Sequence, residues 1–362
     1  MPLMVLALFG CASNRLLTLI DEPAPDLIAR ALTQAAPAQP NKASTVADQK
    51  PLPKIVSVAS IMTLTPAMAS FAEQAVAGAH GDAMRVRALH QALILPASAG
   101  GLGIGYQPLA TLTPAQVFRT REANCLSFSL LFVAMARHLG LDASLNDVAV
   151  PPSWTMNNDR VQFMRHVNAK VDLRFSSDDM VIDLDMSNYR PYYQQQLIDD
   201  KTAIAQYYNN LAMSLDNSAS NGDIKLAYMR AALGLDSAQS YLWNNLAAIY
   251  MGWDQSAVAE ALYLKAVQVN PDDVTAIWNL SEFYRLRGNT ELANALQQRV
   301  TEYRDSNPYY QYRLASVYFA DDQYELAAQR IQSAIAKQPE EERFYRLAED
   351  IYQSMEHQGK GL

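Results

Sequence analysis

Cysteine is scarce in this chain, with two among 362 residues, at positions 11 and 125. One lies beside the N-terminus and the other at the start of a helical pattern, so a disulfide framework is not expected. Histidine is nearly as rare: the five, at 80, 90, 138, 166 and 357, show no paired helical spacing with carboxylates or cysteines. No metal and no other cofactor is therefore expected. Positive charge is in deficit, with 29 Lys and Arg against 37 Asp and Glu, and the balance of −8 lies mostly beyond residue 200. Neither half carries a basic patch, which argues against nucleic acid as a partner. The apolar run from Leu3 to Phe9 is too short to span a bilayer.

What is present suits two or three globular domains, since half the residues are apolar and under a fifth are charged. Cys125, in Arg121-Glu122-Ala123-Asn124-Cys125-Leu126-Ser127-Phe128, stands where a long apolar helix begins, and that helix runs to a stop at Gly140. The thiol thus faces the positive end of the helix dipole, where nucleophilic cysteines are commonly placed. Downstream come His166, in Arg165-His166-Val167-Asn168-Ala169-Lys170-Val171, and Asp183, in Met180-Val181-Ile182-Asp183-Leu184-Asp185. Strand alternation points Asp185 to the same face, but Asp183 sits between Ile182 and Leu184 as a buried orienting carboxylate should. Thiol, imidazole and carboxylate are the parts of an acyl-transfer triad.

Residues 22 to 53 are rich in Ala, Pro, Gln, Ser and Asp and have tether composition. Helical spacing over 55 to 96 predicts two helices, and Thr113-Pro114-Ala115-Gln116 predicts an N-cap with proline at the first helical position. The glycines of Ala99 to Tyr106 have no following Lys-Ser/Thr and form an irregular connector, not a phosphate cradle. Three strand patterns follow, 143–150, 166–173 and 180–184, with a turn at Ser176-Ser177-Asp178-Asp179. That turn brings His166 and Asp183 to neighbouring strands, with a bulge or offset needed to align them. His138 belongs to a helix end, while His80, His90 and His357 read as surface residues.

The C-terminal half repeats itself. Tyr250, Tyr284, Tyr318 and Tyr352 are 34 residues apart, as are Leu246, Leu280 and Leu314, and Ala259, Ala293 and Ala327. This period, with Trp243, Leu246, Tyr250, Ala259 and Pro271 at their places in one unit, resembles the tetratricopeptide repeat. A looser copy spans about 205 to 238. The resemblance implies a protein-binding groove, and carrying over its groove positions gives Asn244, Met251, Trp278, Glu282, Arg285, Tyr312 and Phe319, a surface for a protein partner.

Residues 113 to 190 resemble the transglutaminase-like superfamily, papain-related α+β enzymes with Cys, His and Asp in that order. The resemblance rests on Cys125 opening its helix, on Ala136-Arg137-His138-Leu139-Gly140-Leu141 closing it, on His166 starting a strand and on Asp183 in the next. Asn124 stands where glycine is common in the family, and no tryptophan closely follows the histidine. The resemblance implies a catalytic triad of Cys125, His166 and Asp183 acting on peptide or protein amides, by hydrolysis or transamidation. A second oxyanion donor, beside the Cys125 N–H, would come from Tyr106 or Trp154. The alternative is a catalytically silent domain of the same shape in a binding or assembly protein.

Leu8-Phe9-Gly10-Cys11 followed by Ala12 and Ser13 looks like the lipobox of a bacterial lipoprotein, with Cys11 as the lipidated residue. That implies a lipid anchor and an envelope location facing the periplasm; without a working leader the location is cytoplasmic. The expected organisation is a leader at 1–11, a flexible linker at 12–54, an α+β papain/transglutaminase-like domain at 55–200 and an all-α tetratricopeptide repeat solenoid at 201–362.

Overall fold

The computed structural model describes residues 20–36, 54–148, 156–157, 160–161, 166–174, 179–185, 195–216, 218 and 220–359. Cys11 with its apolar leader, Trp154, and Ser176, Ser177 and Asp178 of the expected turn lie outside them. By contacts the chain divides into two units, one of residues 34–150 and 165–237, the other of 1–33, 151–164 and 238–362.

Helix α1, Pro25–Thr33, belongs to the second unit. It corrects the expectation of a flexible linker there: Leu27, Ile28, Ala31 and Leu32 recur at helical spacing and turn inward, which average composition hides.

The first unit begins with three helices, α2 (Val58–Met62), α3 (Pro66–Ala75) and α4 (Asp82–Ile94), one more than the spacing predicted. The glycine-rich connector then folds back on α4: Leu102 N–H donates to Ala92 O and Ile104 N–H to Leu93 O. Gly101 is obligatory there, because a Cβ would lie 2.1 Å from Leu95 O. The connector delivers β1, Gly105–Tyr106, to a short parallel pairing with β2, Glu122–Ala123. Between them lies α5, Pro114–Thr120, whose start carries the expected Thr113 cap as a full capping box with Gln116.

Helix α6, Cys125–His138, is the unit's axis, with every residue from Leu126 to Ala136 buried. A large apolar side chain buried this way contributes about 1.5–3 kcal/mol. The helix ends in a Schellman turn: Gly140, at φ 74°, donates to Arg137 O, and Leu141 donates to Ala136 O. The Ala-Arg-x-x-Gly-Leu segment is thus a helix terminator. Its arginine binds forward, with Arg137 Nε on Ala143 O at 2.8 Å and its guanidinium on Asp200 at 2.7 Å.

An antiparallel sheet packs on this helix in the order β7–β6–β3–β8, formed by β3 (Asp142–Val148), β6 (His166–Asp172), β7 (Asp179–Ile182) and β8 (Gln195–Ile198). The short pair β4–β5, Met156–Asn157 with Arg160–Val161, stands apart from it. A helical hairpin, α7 (Asp200–Ser214) and α8 (Gly222–Leu235), completes the first unit.

The second unit is an array of hairpins: α9 (Ser240–Met251) with α10 (Ser256–Val269), α11 (Val274–Leu286) with α12 (Thr290–Ser306), and α13 (Pro308–Ala320) with α14 (Tyr324–Lys337), closed by α15 (Glu342–Gly359). The 34-residue period is visible in the backbone as well. Asp254, Gly288 and Asp322 occupy the left-handed region between the helices of each hairpin. At the same places the N–H of Gln255, Asn289 and Gln323 donates to the carbonyl of Tyr250, Tyr284 and Tyr318. Ala259, Ala293 and Ala327 are buried between the paired helices, where a side chain without bulk lets the backbones approach.

Candidate active site

Four chain segments meet at Cys125, and local hydrogen bonding explains each placement. Asn124 caps α6, accepting from Ser127 N–H at 2.9 Å while its own Nδ2 donates to Thr111 Oγ1 at 2.9 Å. The asparagine in place of the family's glycine is therefore a working N-cap, worth about 1 kcal/mol. Ser127 Oγ accepts from Leu112 N–H at 2.9 Å and donates to Ala110 O, fastening the preceding loop to the nucleophile's helix. As the first helical residue, Cys125 has an N–H with no partner inside the helix.

The sheet register settles the offset between histidine and aspartate. Ala169 pairs with Ile182, the last ladder residue of β7, so Asp183 follows immediately at the level of Asn168, two residues beyond His166. Alternation then puts His166 and Asp183 on one face along a diagonal. Asp183 is just past the strand, where the sequence reading had it on the strand.

The three groups are brought together: a donor atom from each of Cys125, His166 and Asp183 lies within 4.8 Å of the others. His166 Nε2 is hydrogen-bonded to Asp183 Oδ2. The other carboxylate oxygen accepts from Leu184 N–H at 2.8 Å. With Nε2 engaged, Nδ1 is the nitrogen left for the sulfur. Asp183 is fully buried, and Cys125 is half-buried and reduced. Burial opposes charge on His166, but its hydrogen bonds to Asp183 and Cys125 outweigh that and push the imidazole up to about 10. The site therefore favours the protonated, imidazolium form of His166.

Ser129, which the sequence reading did not single out, ties the two chemical elements together. Its buried hydroxyl lies 2.8 Å from Cys125 O and 3.1 Å from Val167 O, linking the nucleophile's helix to the histidine's strand. Tyr106, carried in by β1, hydrogen-bonds Cys125, and burial together with the charge at Cys125 pushes its phenol up to about 12. Its hydroxyl therefore lies at the sulfur as a neutral phenol, and not at an oxyanion position. His90 corrects its surface reading: it is largely buried, its ring lies edge-on to Phe128 and Phe132, and its Nε2 is 2.9 Å from Asp183 O.

Among the described residues, the group of three or more side chains suited to holding a metal is this same triad. No described helix is long and apolar enough to cross a membrane.

The expected groove residues of the array divide into two sets. Asn244 and Tyr312 are buried: Asn244 accepts from Asn279 Nδ2 at 2.9 Å, and the Tyr312 ring packs 5.0 Å from Phe344. They serve packing between repeats, which corrects their assignment to the groove. Trp278 is 40% exposed. Glu282 and Arg285 form an ion pair, Met251 is half-buried, and Phe319 lies against Tyr324.

Residues 69–173 match the family model of the transglutaminase-like superfamily. The first unit therefore contains a transglutaminase-like domain, and an all-helical repeat region follows it. No curated protein matches the chain. Two solved structures with matching segments are titled "Crystal structure of MamA" and "Crystal structure of MamA protein". The first is 13% identical, covering 37% of this chain and 78% of that one at a TM-score of 0.25. The second is 17% identical, covering 44% of this chain and 84% of the other, also at 0.25.

Proposed function

We propose that the transglutaminase-like domain is a cysteine acyl-transfer enzyme acting on amides of peptides or proteins, and that the repeat array holds a protein substrate or partner. The observation that carries this is the position of the His166 imidazole, bonded to the buried Asp183 and to Cys125 at once.

In the proposed reaction, the Cys125 sulfur, its proton held by His166, attacks the amide carbonyl and forms a C–S bond. The oxyanion is met by the Cys125 N–H and by Tyr106 once its hydroxyl turns from the sulfur. As the C–N bond breaks, His166 returns the proton to the leaving amine, leaving a thioester on Cys125. Water or a second amine, deprotonated by His166, then attacks the thioester, giving hydrolysis or transamidation. Asp183 holds the ring's orientation throughout.

One observation favours a second reading, a silent binding or assembly domain: the Tyr106 hydroxyl occupies the sulfur in the resting site. The two readings separate on acid-quenched mass spectrometry of the full chain after exposure to glutamine-containing peptides, with and without a fluorescent primary amine. The catalytic reading expects an acyl adduct mapped to Cys125, absent from Cys125→Ala, and product accumulation; no adduct and no product would overturn it. A lipid anchor at Cys11 belongs to the same proposal. Cys11→Ser should release the protein from the membrane fraction, and unchanged fractionation would remove the anchor.

A further inference from the structure

Asp183 is buried and lies just past the end of β7. Among the described residues the ladder with β6 ends at Ile182, one residue before Asp183. Its carboxylate is committed to His166 and, within the same turn, to Leu184 N–H. The main chain of the turn is also reached from another element, 93 positions earlier in the chain: His90 Nε2 lies 2.9 Å from the Asp183 carbonyl.

We infer that His90 is a positioning residue for the triad, donating its Nε2–H to the Asp183 carbonyl and thereby aiming the carboxylate at His166. A carbonyl only accepts, so Nε2 carries the proton and the tautomer is set by the contact. Burial lowers the pKa of His90, against the opposing pull of Asp183, which keeps the ring as a neutral donor. Its orientation is set by the nucleophile's own helix: the ring lies edge-on to Phe128 at 6.0 Å and to Phe132 at 6.4 Å, one turn apart on α6. Helix α4 is itself anchored at its start, where Asp82 takes Arg174 Nε and Nη2 at 2.9 and 3.0 Å. His90 therefore links the helix bearing Cys125 to the turn bearing Asp183, so that the two ends of the triad are set from one wall. This role rests on the catalytic reading of the site.

The test is the pH dependence of iodoacetamide alkylation in the full chain, quantified on the Cys125 peptide, for wild type, His90→Phe and His90→Gln. His90→Phe keeps an aromatic ring between Phe128 and Phe132 and lacks the donor, whereas the Gln carboxamide N–H can reach the same carbonyl. His90→Met replaces the Phe variant if that does not fold. The expectation is a wild-type rate already high near pH 6, a fall of about tenfold or more in the donorless variant, and recovery to within about threefold in His90→Gln. Equal profiles for wild type and the donorless variant, or a Gln variant as impaired as it, would overturn the role of His90 and leave the triad standing. A wild-type rate that rises only in the range of a free thiol would instead overturn the catalytic reading itself, and this inference with it.

Discussion

The transglutaminase-like unit and the repeat array depend on their individual residues in different ways. In the first, single contacts between distant segments carry the geometry: Ser129 joins helix to strand, Asn124 fixes the start of α6, and His90 reaches the turn after β7. In the second, each contact recurs, with a buried alanine, a left-handed turn position and a tyrosine carbonyl acceptor at the same place in successive hairpins. A site made of unrepeated contacts should fail at one residue while the fold survives. A periodic array should lose stability in proportion to what is removed and leave distant chemistry alone.

The largest expected effect is on acyl transfer. Cys125→Ala should abolish it, and Asp183→Asn should lower turnover by about 10³-fold or more, both with little change in circular dichroism. If Asp183→Asn keeps near-normal turnover, the carboxylate does not orient His166. Next comes Leu280→Ala in the array, a fully buried position, which should cost about 2–5 kcal/mol in denaturant unfolding. The same variant should leave the Cys125 alkylation rate unchanged; a parallel loss would mean that the two units are not independent in this respect.

A sharper version of the comparison is the charge on His166. Its raised pKa means that the native state holds a proton which the unfolded chain releases from about 6.5 upward. The stabilisation is full below that value and falls as pH rises toward about 10. Histidine-selective NMR should show the His166 midpoint far above the ordinary range, and His166→Gln should lack this part of the pH dependence of stability. The smallest effect is Asp254→Gly, which relieves a left-handed non-glycine residue and should stabilise the array by a few tenths to about 1 kcal/mol, while Gly288→Ala at the equivalent turn should destabilise it. Opposite signs at these two positions would sharpen the periodic account, and a common sign would break it.

The same contrast explains what was legible in the sequence. The repeat period stands out because Leu, Tyr and Ala restate their environments every 34 residues. Cys125, His166 and Asp183 were legible because their residue types, order and flanking apolar residues form a chemical pattern. His90 was not, because a lone histidine among Met84, Arg85 and Arg87 shows nothing of a carbonyl reached only through the tertiary fold. Strand β8 was missed for a related reason: Gln195-Gln196-Leu197-Ile198 lacks an apolar alternation and is held by its ladder with β3. Asn244 and Tyr312 went to the groove by family position, although their neighbours Asn279 and Phe344 enclose them. Helix α1 was hidden by composition, since four inward residues do not lift the average of an Ala- and Pro-rich segment.

The central claim is that sulfur and imidazole are assembled as a reactive pair. Its most direct measurement is the second-order rate of iodoacetamide reaction at Cys125 from pH 5 to 10, in the full chain and in His166→Ala. The account predicts fast alkylation near pH 6 in the wild type and a rate depressed by at least about tenfold in the variant. A wild-type rate that follows an ordinary thiol near ~8.5, with His166→Ala superimposed on it, would contradict it.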